Sequence, residues 1–317
     1  MYSFPVSTPR IVSALMLIGL ASIPQARGCA SCGCLLDREW IVQSFAGEPG
    51  LQMDLVYTFI DQNQLRSGTG RISASDVPAG QELEAYTRSD IFTLDLNYVF
   101  NADWSVMLQV PYMIRDHATW GVDHHSYDTS ETSSISDMNL IVSYQGFTAK
   151  HNLGVKFGIS LPTGPFDESF HSGAALDRGL QPGTGTTGLF VGMYYHDSLA
   201  KDWGYFGQST LHAALNYRAD YKPGTSQDFS LGLRYTGFER VTPQLQVNAR
   251  IAGRDQGDQA DSLDSGGSLV YLSPGVTIEL TKKIDTYVFV QIPLYQNLYG
   301  YQLAPTWILS AGIHAAF

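Results

Sequence analysis

The chain of 317 residues has no apolar run approaching the ~20 residues that a membrane helix needs. It has only three cysteines, Cys29, Cys32 and Cys34, and none follows them. Its 19 Lys and Arg are outnumbered by 30 Asp and Glu, giving a net charge of −11. The shortage of basic residues argues against a nucleic-acid partner, whose phosphates need clustered Lys and Arg. A catalytic constellation is also missing. His196 and Ser198 stand two apart, but no third group is evident to orient the imidazole, and the stretch reads as a turn. No enzyme is expected.

What the chain has is 44% hydrophobic residues, 18 Tyr, 15 Phe and 31 Gly, a composition that suits β-structure. Arg10 precedes a short apolar stretch, Ile11 to Pro24, with the charge, apolar core and small-residue order of a secretory signal. We therefore expect a signal peptide over 1–26, a Cys-rich periplasmic leader over 27–48 and the folded unit over 49–317. An exported, acidic, Tyr-rich chain is either a soluble β protein or a barrel in an outer membrane.

The period of the apolar residues favours the barrel. Leu51, Met53, Leu55, Tyr57 and Phe59 share one face of a strand, opposite Gln52, Asp54, Val56 and Thr58. Phe92, Leu94, Leu96, Tyr98 and Phe100 repeat the pattern, as do Trp104, Val106, Leu108, Val110, Tyr112 and Ile114. Alternation over about ten residues is the mark of a strand and matches the length of one tilted across a bilayer. The connections alternate in length. Short ones fall near 101–103, 148–150, 198–202, 239–242 and 281–284; long ones fall near 63–86, 116–134, 163–185, 218–227, 254–267 and 296–304. Short periplasmic turns and long outer loops are the habit of outer-membrane barrels. The fold class expected is all-β: a transmembrane, antiparallel, up-and-down β-barrel of about 12 strands in the outer membrane of a Gram-negative bacterium. The terminal Phe317, on a strand that also carries Trp307, Leu309 and Ile313 in register, resembles the assembly signal of such barrels.

With the apolar face toward lipid, the other face lines the lumen. The charges expected there are Asp54, Asp95, Asp137 and Glu279 against Arg115, Lys156, Arg218, Arg234 and Arg250. They nearly cancel, so a narrow interior laced with paired charges and amides is expected. In the loops, Asp255, Asp258, Asp261 and Asp264 read as a solvated acidic stretch, since their spacing is not that of a calcium loop. His117, His124 and His125 form a loop cluster of the residue type that holds Zn²⁺ or Cu²⁺, though without a spacing that presents them together.

Pro111, Pro162 and Pro293 follow hydrophobic residues on outward-running strands, where each removes a ladder donor and predicts a bulge or strand end. The Leu161–Gly164 stretch (LPTG) and Pro182–Gly185 (PGTG), with SDMNLIVSY at 136–144 and the segment 271–303, resemble the outer-membrane barrel family named for the MetA pathway of phenol degradation. The resemblance implies a barrel associated with uptake of aromatic or other small hydrophobic molecules. The leader CASCGCLLDREW lies outside that pattern. Its cysteines leave several readings open: a disulfide with one free thiol, a soft-metal site for Cu(I) or Zn²⁺, lipidation of Cys29, or a docking point for a periplasmic partner. The expected function is passage of a small-molecule solute through a barrel that contacts outer-membrane lipid and lipopolysaccharide. The alternative is a closed barrel scaffold whose cysteine segment binds a soft metal or a periplasmic partner.

Overall fold

The alternating segments become the two faces of one closed wall. The computed structural model describes Leu36 and residues 49–317. The expected signal peptide, the three cysteines and all of the leader except Leu36 lie outside the described residues. The strands are β1 (Gly50–Gly68), β2 (Gly70–Arg71), β3 (Leu83–Val99), β4 (Trp104–Trp120), β5 (Tyr127–Ile135), β6 (Met138–Tyr144) and β7 (Leu153–Leu161). They continue as β8 (Gly188–Ala200), β9 (Trp203–Ala214), β10 (Ser226–Tyr235), β11 (Val241–Ala252), β12 (Gly267–Thr281) and β13 (Ile284–Ala316). Successive strands pair antiparallel around the ring, and β13 returns to pair with β1, so the sheet has no free side. The strand β13 is itself a hairpin. It turns at Gly300, where φ is +64°; its first half pairs with β12 and its second half with β1.

Two strands stand outside the ring. The short β2 folds back on the end of β1. The strand β5 pairs with the outer half of β4, while β6 pairs with the inner half. The switch comes at Pro111, whose carbonyl accepts from Ser136 N–H at 2.8 Å. Pro293 likewise sits at a register shift, opposite Tyr271, and Pro162 follows the last residue of β7.

The outward face is apolar. Leu55, Phe92, Val191, Leu231, Val288 and Ile313 are all exposed. So large a band of apolar side chains would be an aggregation surface in water and is a stable one in hydrocarbon. Near the short turns it ends in aromatic pairs: Tyr98 with Phe100, Trp104 with Tyr144, and Trp203 with Tyr235. These make the girdle expected at a membrane interface.

Two expected loops are corrected. Most of 116–134 is strand, with only 121–126 left to connect β4 and β5. Sequence periodicity missed it because the inward residues there are polar, including Thr119, Ser130 and Thr132, all buried. The segment 296–304 is the tip of the β13 hairpin rather than a loop. Both extend the wall beyond the apolar band.

Candidate functional site

A cavity of about 710 Å³ occupies the barrel interior. One row of lateral neighbours crosses five strands in register: Lys156 on β7, Gly192 on β8, Thr210 on β9, Asp228 on β10 and Arg250 on β11. All but Gly192 line the cavity. Arg250 grips Asp228 through Nε at 2.7 Å and Nη2 at 2.9 Å, the two-pronged geometry that suits guanidinium to carboxylate. His212 Nε2 lies 3.3 Å from the same carboxylate. Gly192 lets the lysine stem cross the wall: a Cβ there would meet Lys156 Cγ and Cε at 2.8 Å. The neighbouring row has a similar device. Phe190 lies flat over Gly158, where a Cβ would come within 1.9 Å of its ring.

Apolar side chains are interspersed with polar ones around the rest of the lining: Ile60, Ile91, Met107, Met113 and Ile141 on β1, β3, β4 and β6, and Phe190 on β8. Behind Ile60 the lumen is packed solid by Leu269, Tyr271, Leu298, Ala304 and Ile308, each 2% exposed or less. This apolar cluster sits among buried amides and hydroxyls of the same strands, including Gln62, Ser273, Gln291, Gln296, Gln302 and Ser310, so the interior there is filled by both kinds of side chain.

The expected lumen charges separate into groups. Asp54, Asp95, Arg115 and Lys156 are buried and line the cavity, as does Arg250. Tyr287 donates its hydroxyl to Asp54 at 2.9 Å. Arg115 donates from Nε to Ser89 Oγ at 3.0 Å and from Nη1 to the Leu180 carbonyl at 2.7 Å. Arg234 is half-buried near the short-turn end of β10, and Glu279 is exposed at the end of β12 opposite Asp285. Arg218 lies outside the strands, exposed in the connection between β9 and β10, with its guanidinium over the Phe166 ring. Asp137 holds a loop: it accepts from Gly164 N–H at 3.1 Å, Thr184 N–H at 2.8 Å and Thr184 Oγ1 at 2.7 Å.

That loop, 162–187, folds across the lumen and supplies Gly179, Gln181, Pro182 and Thr186 to the cavity lining. Phe170, Leu176 and Leu180 give it a small core of its own. Arg178 is stacked between Phe166 at 4.6 Å and Tyr221 at 4.8 Å, joining this loop to the next. At the opposite end, Leu36 is buried against Val56, Tyr287 and Phe289, so one leader residue reaches the interior.

The histidine cluster does not form. His117 is fully buried on β4, hydrogen-bonded to Thr87 at 2.8 Å and beside the Phe170 ring. His124 and His125 lie in the connection after β4, on Gln81 and Asp123 backbone carbonyls respectively. No metal-holding group of His, Cys, Asp or Glu occurs among the described residues. The acidic stretch is not uniformly solvated either. Asp255 is 3% exposed, accepting from Tyr221 hydroxyl and Gly224 N–H, and Asp264 accepts from Tyr301 N–H at 2.7 Å.

The outer mouth carries one further acidic group. Glu82 and Glu84, at the start of β3, lie near Asp177 of the folded-in loop and Asp261 of the connection before β12. Burial pushes Glu84 up to about 8, against the stabilising Leu303 N–H. Desolvation, then Glu82 and Asp261, push Asp177 up to about 7. Sequence reasoning missed this group because its members come from the start of β3 and from two connections distant in sequence.

No protein-family model and no curated protein matches the chain. Among solved structures, an outer membrane channel from Pseudomonas putida shares the fold, with a TM-score of 0.64 and 14% identity over 85% of this chain and 96% of that one. Lower similarity is found to the β domain of the Bordetella autotransporter BrkA, with a TM-score of 0.48 and 12% identity over 85% of this chain and all of that one. The monoaromatic hydrocarbon channel CymD has a TM-score of 0.46 and 10% identity over 95% of this chain and 96% of that one.

Proposed function

The chain is an outer-membrane β-barrel, and we propose that it is a narrow channel for small molecules, favouring those with an apolar or aromatic body. The observation that carries this reading is the cavity inside the closed wall, lined by apolar and charged side chains together. Its volume of about 710 Å³ falls within the range that accommodates small organic ligands. Ile91, Met113, Ile141 and Phe190 offer apolar contacts, while Lys156, Asp228 and Arg250 offer charged ones. A solute with a ring and a polar substituent would satisfy both. Arg115, Asp95 and Asp54 extend the polar lining along the passage. The likeness to the channel from Pseudomonas putida and the LPTG and PGTG stretches support transport of the kind found in the MetA-pathway type of barrel.

No catalytic step is needed. The apolar side chains replace the ring's hydration, the charged row holds the substituent, and the concentration gradient sets the direction of net flow. The loop 162–187 limits the size of what passes. Liposomes carrying the purified protein are expected to admit small monoaromatic solutes faster than sugars of equal size. If neither class enters faster than into protein-free liposomes, and planar bilayers show no conductance, the transport reading is refuted.

A further inference from the structure

A second recess, of about 290 Å³, lies apart from the lumen at the outer end of the wall, between β1, β2 and the β13 hairpin. Its walls include Gln64, Arg66, Arg71, Leu294 and Tyr295. Register shifts flank it on both sides, between Asp61 and Gln64 on β1 and between Val270 and Tyr271 on β12. Bulges of this kind bend a strand and re-aim its side chains.

The charge pattern is unusual for a hairpin. Arg66 and Arg71 are direct partners across the β1–β2 ladder, and like charges in that position oppose pairing. Among the described residues no ion pair relieves either one. Arg66 Nη1 donates to the Thr69 carbonyl at 2.9 Å, but its Nε is buried without a partner. Gln64 Nε2 is also buried without a partner. Donors and positive charge therefore converge on a recess that contains no carboxylate.

The height of the recess narrows the choice of anion. A strand crosses the hydrocarbon in about 9–11 residues, and Tyr295 lies eleven residues beyond Ile284 at the short-turn end of the barrel. The recess is thus level with the headgroups of the outer leaflet. Leu294 is 60% exposed and Tyr295 46% exposed beside it, an apolar and aromatic surface that an acyl chain could lie along.

We propose that this recess binds the phosphate of an outer-leaflet glycolipid, with Arg66 and Arg71 on the phosphate and Leu294 and Tyr295 along the first part of an acyl chain. A phosphate from a soluble compound shares the chemistry but would not use the apolar surface. The bound anion relieves the Arg66–Arg71 repulsion, so binding also steadies the β1–β2 hairpin.

The test uses the full chain in detergent. Binding is measured to phosphatidylcholine vesicles with and without lipid A, and to inorganic phosphate alone. Wild type is expected to bind the lipid A vesicles preferentially, and the Arg66→Gln/Arg71→Gln variant to bind them about tenfold or more weakly, since two charge-assisted contacts are lost. Arg88→Gln, whose side chain pairs with Asp61 outside the recess, is expected to bind as wild type does. Heat-modifiable migration in gels shows whether each barrel is folded. If the double variant does not fold, the exposed Arg71→Gln variant alone is expected to show a severalfold loss. Unchanged lipid A binding in a folded Arg71→Gln or double variant overturns the site. Inorganic phosphate binding as tightly as lipid A vesicles overturns the lipid source.

Discussion

Replacing Asp137 with alanine should release the loop that crosses the lumen. The carboxylate accepts from Gly164 N–H, Thr184 N–H and Thr184 Oγ1 at 3.1, 2.8 and 2.7 Å, tying the two ends of the segment 162–187 to the wall between β5 and β6. A hydrogen bond to a charged group contributes about 1.5–3 kcal/mol. The three share one half-buried carboxylate and are not additive, so about 3 kcal/mol for the group is a reasonable figure. At about 1.4 kcal/mol per factor of ten, the open population of the loop rises about a hundredfold. Arg115 still holds the Leu180 carbonyl, so the middle of the loop should stay tethered while its ends fray. Single-channel recording in planar bilayers reads this directly: Asp137→Ala should show larger or more frequently fluctuating conductance than wild type. Asp137→Asn keeps one acceptor oxygen and should fall between. If a folded Asp137→Ala barrel conducts with the same amplitude and noise as wild type, the loop does not set the passage, and the reasoning fails.

Leu36→Asp places a charge against Val56, Tyr287 and Phe289, and loss of a buried leucine costs about 1.5–3 kcal/mol before the charge is counted; conductance should increase if Leu36 narrows the inner end, and unchanged conductance would show that it does not. The outer mouth should be pH-sensitive. Glu84 and Asp177 are raised to about 8 and about 7, so the closed arrangement is fully favoured below ordinary carboxylate values and weakens as pH rises through 8. Hydrogen exchange at 80–84 and 174–180 should therefore quicken from pH 5 to pH 9 beyond the intrinsic chemical rate, and a flat corrected profile would refute the idea.

Much of the wall was legible because lipid on one side and lumen on the other impose a strict period of two. That rule located the membrane-crossing parts of β1, β3 and β4 and put Asp54, Asp95, Arg115 and Lys156 inward, where they line the cavity. It failed where the outer face no longer meets hydrocarbon, as in the upper half of β4 and in β5, since polar residues then occupy both faces. It also gave a direction without a partner. Asp137 points toward the interior as its parity suggests, but what it meets is a loop that returns from many residues away. The pairing of Asp228 with Arg250 and His212 is of the same kind, set by the register of three strands that no local pattern reveals. The apolar cluster of Leu269, Leu298 and Ile308 was hidden because register shifts along β1 and β12 change which side chains share a face.

The seam between β1 and the second half of β13 joins the beginning of the barrel to its end. Gln52 pairs with Ala316, and Phe317 N–H reaches the Leu51 carbonyl at 2.9 Å. Synthesis delivers β1 well before this partner, so one edge of the earliest strand stays bare until the second half of β13 has been made. Closure of the wall therefore cannot precede the making of β13, and a wall lacking that hairpin would carry two sticky borders instead of a closed circumference.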